Sequence, residues 1–181
     1  MKWILATALV LVAMSGKGED KMRPKDECQM ILDASLPIVE TLLEKNGEFF
    51  PTGAYMSSTG TILHLSFYDG REQPPSVAVM DGMKSALKAM ASKAEIKAYA
   101  ILYDVRVVPP GKTVKQDAIA IDLEHRDDYQ VTVIFPYTLE KGHKPILAAP
   151  FATAKKREIF VQSPNNRPEV IRPPTGEKPQ P

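Results

Sequence analysis

Three consecutive runs between Ile96 and Tyr137 alternate apolar and polar positions with a period of two. They are rich in β-branched and aromatic residues, the signature of strands in a half-buried sheet. In the first, 96–108, Tyr99, Ile101, Tyr103, Val105 and Val107 share one face, opposite Ala100, Leu102, Asp104 and Arg106. In the second, 117–125, Ile119, Ile121, Leu123 and His125 oppose Ala118, Ala120, Asp122 and Glu124. In the third, 129–135, Tyr129, Val131, Val133 and Phe135 oppose Gln130, Thr132 and Ile134. Each strand is thus read with one strongly apolar face, meant for helices and including Val105, Leu123 and Val133, and one mixed face. A loop of Arg126, Asp127 and Asp128 keeps these faces together by setting Glu124 opposite Gln130, Asp122 opposite Thr132 and Ala120 opposite Ile134. Such a loop places its last residue in the left-handed region, which Asp tolerates better than most side chains.

Upstream, the period changes. From Pro24 to Asn46, Cys28, Leu32, Leu36, Val39 and Leu43 recur at steps of three and four, predicting a helix with Pro24 in its first turn and Gly47 as its stop. Pro37 predicts a kink or break near Ser35 and Leu36. Residues 48–68 read as a hairpin turning at 57–60, with Pro51 marking its first strand as an edge and Gly53 a bulge or a close backbone approach. His64 reads as a sheet histidine. After a loop at 69–75, Ser76 suits an N-cap for a helix from Val77 to about Lys93, whose Met80, Met83, Leu87 and Met90 form a core-facing stripe. Extended segments at 145–149 and 157–161 complete the sheet.

The ends differ from this middle. Residues 1–15 carry one lysine before an apolar run that closes on Ala13, Met14 and Ser15, the layout of an export signal. The run ends short of the roughly 17–25 apolar residues that span a bilayer, so no membrane span is expected after cleavage. A polar spacer follows at 16–23, then a single domain at 24–162. Six of the sixteen prolines fall in 163–181, where large apolar residues are scarce, predicting a disordered tail. A net charge of +1 with no basic stripe argues against nucleic acid. One cysteine, Cys28, precludes an internal disulfide, so the domain stands on its hydrophobic core. Cys28 itself reads as a small buried hydrophobe on a helix.

Chemical motifs are sparse. There is no phosphate-binding glycine loop. His125-Arg126-Asp127 spells a kinase triplet without its following asparagine, and Ser85 and Lys88 spell a serine–lysine motif inside an amphipathic helix; both read as coincidence. No catalytic residues, cofactor or metal site is assigned. The best constellation is the mixed sheet face with Asp104, Arg106, Asp122 and Glu124, and Thr132 beside them. Clustered carboxylates there can form an acid–base pair or accept a hard cation, and otherwise make a solvated face balanced by Arg106.

Taken in order, 47–51, 68–70, 74–76, 103–107, 117–120, 124–127 and 135–137 resemble the motifs of an uncharacterised family of small bacterial α+β proteins over roughly 27–160. That resemblance implies a fold and lends no catalytic residues. The element order is also similar to profilin-like and roadblock-like domains, which bind partners through a central antiparallel sheet. The expected architecture is therefore α+β, one antiparallel sheet with two main helices packed on one face. The expected role is an exported, periplasmic or secreted, non-enzymatic protein-binding module of inhibitor or immunity type. A small hydrolase or metal-assisted enzyme working from the acidic sheet face is the alternative.

Overall fold

The computed structural model describes residues 22–68, 70–71 and 74–161. The export signal, nearly all of the spacer and the proline-rich tail lie outside the described residues. The element order is α1 (Pro24–Asn46), β1 (Thr52–Ser57), β2 (Ile62–Leu65), α2 (Ser76–Ser92), β3 (Ile96–Val107), β4 (Gln116–His125), β5 (Tyr129–Thr138), β6 (Ile146–Leu147) and β7 (Phe151–Ala154). The strands form one antiparallel sheet in the order β2-β1-β3-β4-β5, with β6 and β7 both pairing the far side of β5. This is an α+β protein, as the sequence predicts. No helix among the described residues is long and apolar enough to cross a membrane.

The β4–β5 hairpin adopts the predicted register, with Glu124 opposite Gln130, Asp122 opposite Thr132 and Ala120 opposite Ile134. Asp128 takes the left-handed conformation at φ 63° that the three-residue loop demands. β5 runs on through Pro136 to Thr138, further than the alternation alone indicates. α1 spans the expected residues and closes on Gly47 at φ 78°. It continues through Pro37 without a break. The Asp33 carbonyl that loses its donor there lies on the exposed side of the helix, where water can replace the bond.

The helices pack on opposite faces, which corrects the expectation of one shared face. α1 lays Cys28, Ile31, Leu32, Val39 and Leu43 over Ala98, Ala100, Leu102, Ile119, Ile121 and Leu123. α2 lays Val79, Met83 and Leu87 over Tyr99 and Ile101 on the other side. The reason is β3, which is buried on both faces from Ala98 to Leu102. On its even-numbered face Ala98 and Ala100 make room for α1 beside Leu102, while the bulky odd-numbered Tyr99 and Ile101 meet α2. Val105 accordingly belongs with Ala118, Ala120 and Ile134 on the α2 side, away from Leu123 and Val133.

Smaller corrections follow from the same geometry. β1 is interior, flanked by β2 and β3, and Pro51 sits just before it, so the edge strand is β2. Gly53 is a close approach: a Cβ there would lie 3.0 Å from the Ala100 carbonyl oxygen. Pro75 is the N-cap of α2 and Ser76 is already helical. The methionine stripe is core packing, with Met83 fully buried and Met80 and Met90 half-buried. The last sheet strand is Phe151–Ala154, whereas 157–161 is an irregular strap.

Leu123 is 2 % exposed beneath α1. Leu123→Ala should lower unfolding stability by about 2–5 kcal/mol in urea titration, and the half-buried Val133→Ala by less. An unchanged midpoint for Leu123→Ala would contradict this packing.

Candidate functional site

The four residues of the supposed mixed face do not share a face. β3 pairs β4 with Ile101 opposite Asp122 and Tyr99 opposite Glu124, so the odd positions of β3 lie beside the even positions of β4. Asp104 and Arg106 therefore point to the α1 side of the sheet, while Asp122, Glu124 and Thr132 point to the α2 side. The cluster is split into two unrelated environments, and neither is an open acidic pocket.

Glu124 is fully buried. Its Oε1 accepts the Phe160 N–H at 2.9 Å and the Ile159 N–H at 3.1 Å, and its Oε2 accepts the Glu158 N–H at 2.9 Å and the Tyr99 hydroxyl at 3.0 Å. Three successive backbone N–H groups aimed at one carboxylate make an anion nest, occupied here by the protein's own side chain. Lys155 Nζ lies 3.5 Å from Oε2 and 5.9 Å from the centre of the Tyr99 ring. Glu158 bridges onward to Lys84 of α2 at 2.9 Å. The strap at 155–161 is thereby stapled across the end of β4 to α2. Burial, reinforced by the Glu124 charge, pushes the Tyr99 hydroxyl far above the ordinary range.

Asp122 is engaged through its Oδ1. It accepts the Thr132 hydroxyl at 2.6 Å and the Tyr103 hydroxyl at 3.4 Å. On the opposite face, Asp104 accepts the Tyr137 hydroxyl at 3.1 Å, and burial holds its carboxyl above the usual value despite that bond. Arg106 pairs with Asp117 at 3.0 Å, both of them well exposed. The solvated reading of the mixed face holds only for Arg106 and Asp104; the other two acids are buried construction.

A further polar cluster went unrecognised in the sequence. Glu27, in the first turn of α1, accepts His125 Nε2 at 2.7 Å and pairs with Lys97. His125 is 2 % exposed, and its Nδ1 accepts the Asp127 N–H at 2.9 Å. An accepting Nδ1 fixes the proton on Nε2, which then donates to Glu27. Both ring nitrogens are spent, so the imidazole has no position from which to take a substrate proton. The available signal was that His125 closes the otherwise apolar odd face of β4, where a polar ring needs a partner. Nothing in the sequence pointed to Glu27 as that partner, since first-turn acids are common on the helix dipole alone.

Cys28 is buried beside this cluster, and burial together with the neighbouring Glu27 and Glu124 charges pushes its thiol up to about 12. It is an inert core residue rather than a nucleophile. His64 is exposed on β2, and the Ser85–Lys88 pair faces solvent on α2. Among the described residues no group of three or more His, Cys, Asp or Glu side chains can hold a metal ion. Two depressions among the described residues are open: about 540 Å³ at the β4–β5 turn between Arg126, Asp127, Asp128, Arg157 and Val161, and about 460 Å³ between 43–47 and Leu139, Lys141 and Gly142. In the first, Arg157 spends its guanidinium on the carbonyls of His125, Arg126 and Phe160. Neither depression is lined by Asp104, Arg106, Asp122 or Glu124.

No family model, no curated protein and no solved structure matches this chain.

Two outcomes test the buried clusters. Glu124→Gln keeps the shape but presents an amide N–H₂ to a nest of donors, so stability should fall by about 3 kcal/mol or more, with the Ile159 and Phe160 amides losing their hydrogen-exchange protection. Full protection of those amides in the variant would refute the nest. For Glu27, burial pushes the carboxyl up, but the bonds from Lys97 and His125 outweigh it and leave it below its ordinary 4.5. Its stabilisation is therefore complete above pH 4.5 and lost as pH falls through the depressed folded value. Acid titration of stability should show that loss in the wild type and lack it in Glu27→Gln.

Proposed function

We propose that this is an exported, non-enzymatic protein-binding module of the inhibitor or immunity type, acting in the periplasm or after secretion. The observation that carries the reading is how the titratable groups are spent. Glu124, Glu27 and His125 each have both polar side-chain atoms committed to internal partners, and Asp122 accepts two hydroxyls through its Oδ1. A general acid or base must reach a substrate atom, and a nucleophile needs a base beside it. The accessible chemistry is instead on the surface, where Arg106 and Asp117 stand exposed at the end of the β3–β4 pair with Asp104 close by in sequence and face. Such rim charges steer and orient a protein partner. The charged start and apolar run of 1–15 support export.

A photo-crosslinker placed at Arg106 in the full chain, expressed in its own host, should give one discrete protein adduct in the envelope or medium. The same probe at exposed Ala34, on the outer side of α1, should not. The reading is overturned if the purified chain hydrolyses an ester, amide or phosphate substrate and Asp122→Asn abolishes turnover while its melting curve is unchanged.

A further inference from the structure

The two sides of the sheet end very differently. Beyond β5 lie β6 and β7, which are guarded in the ways that natural edges usually are. Pro145 precedes β6 and Pro150 follows it, and Lys155, Lys156 and Arg157 follow β7. The opposite edge is β2, and among the described residues no strand pairs with its outer side. From Thr61 to Tyr68 the chain reads Thr-Ile-Leu-His-Leu-Ser-Phe-Tyr, without a proline, lysine, arginine or carboxylate. Leu63 is 44 % exposed and His64 is exposed beside it.

The hydrogen-bond pattern identifies which backbone groups are available. The hairpin closes with the Ser57 N–H donating to the Thr61 carbonyl at 2.8 Å, and Tyr55 then lies opposite Leu63 and Gly53 opposite Leu65. Backbone groups alternate sides along a strand. Thr61, Leu63 and Leu65 therefore turn theirs toward β1, and Ile62 and His64 turn theirs outward.

We infer that β2 is a self-association edge, where a second copy of this chain adds its own β2 antiparallel about a two-fold axis at His64. Three features select a second copy over another strand. The run has no lysine, arginine or carboxylate to repel its copy, and a chain of net charge +1 brings little long-range repulsion of its own. A two-fold axis at His64 pairs His64 with its own copy, an outward-facing position that forms a bonded pair of an antiparallel ladder, and brings Ile62, which also faces outward, opposite Ser66 just past the strand. The same axis sets Leu63 against Leu65 of the other copy in the closer, non-bonded pairs on the α2 side, covering the exposed Leu63. The chain leaves the edge beyond Ser66, where the Phe67 ring packs over Gly82 of α2, so the seam is short and the pairing reversible.

Sedimentation velocity on the full chain over a concentration series tests this directly. The wild type should show a concentration-dependent monomer–dimer equilibrium. Leu63→Lys adds a like charge to each side of the seam. His64→Pro removes an outward N–H that the monomer does not use, so it should fold normally while breaking the ladder. Both variants should keep the wild-type melting curve and associate at least about tenfold more weakly. The inference fails if the wild type remains monomeric up to about 1 mM, as it would were this edge reserved for a different strand, or if the dimer persists in His64→Pro.

Discussion

Two consecutive residues at the end of β4 hold the three layers together. A strand points successive side chains to opposite faces, so Glu124 and His125 leave the sheet in opposite directions. Glu124 goes to the α2 side and gathers the strap at 155–161 through three backbone N–H groups. His125 goes to the α1 side and reaches Glu27 at the start of that helix. The turn between β4 and β5 is drawn into the same arrangement, because the Asp127 N–H donates to His125 and Arg157 binds the His125 and Arg126 carbonyls. One strand end thereby fixes the N-terminal helix, the hairpin and the last described segment. A shift of β4 by one residue would exchange the two faces and strand both polar groups in apolar surroundings.

Local patterns were legible where local chemistry decides the outcome. The β4–β5 register could be read from alternation together with a loop ending in Asp128, because one short connection fixes the pairing. Helix α1 could be read from its periodicity and from Gly47. The split of Asp104 and Arg106 from Asp122 and Glu124 could not, since it depends on the β3–β4 register, and the long connector at 108–115 imposes none. The odd face of β3 looked like the buried one because Tyr99, Ile101 and Tyr103 are large. Ala98, Ala100 and Leu102 are equally buried, and the smallness of the two alanines is what lets α1 approach. Bulk marks a buried face more visibly than closeness of packing does, and that asymmetry misplaced the second helix. The strap at 157–161 was mistaken for a strand for a related reason. Its Ile159 and Phe160 have the composition of one, but their N–H groups find a carboxylate instead of a ladder.

Burying a carboxylate and a histidine is an expensive way to hold a domain together, because desolvation offsets most of what the pairing returns. What such groups supply in this fold is direction. The strap has few apolar residues with which to select a docking position, with Ile159 buried and Phe160 only half-buried against Tyr99. An apolar contact tolerates sliding. A carboxylate bonded to three successive N–H groups does not, since a shift of one residue leaves a donor or an oxygen unsatisfied. The same holds for α1, whose apolar stripe would pack almost as well after a small translation. The Glu27–His125 bond and the Lys97 pair set its position along the sheet.

That use of polar groups shapes what remains for function. Glu124, Glu27 and His125 are occupied inside the fold, and the Cys28 thiol is sealed beneath α1. Among the described residues, the outer face retains scattered charges that screen readily in salt, and the β2 edge has no strand paired to its outer side. Backbone groups recognise other backbone groups regardless of side chain, so an open edge confers affinity without much selectivity. Selectivity must then come from what flanks the edge. On β2 the flanking residues are Leu63 and Leu65 on one side and His64 on the other, a pattern that is nearly its own mirror about the two-fold. An edge with charges of one sign would favour a complementary stranger and repel its copy. An uncharged edge that reads almost the same in both directions favours its copy, and that is the sequence carried by this strand.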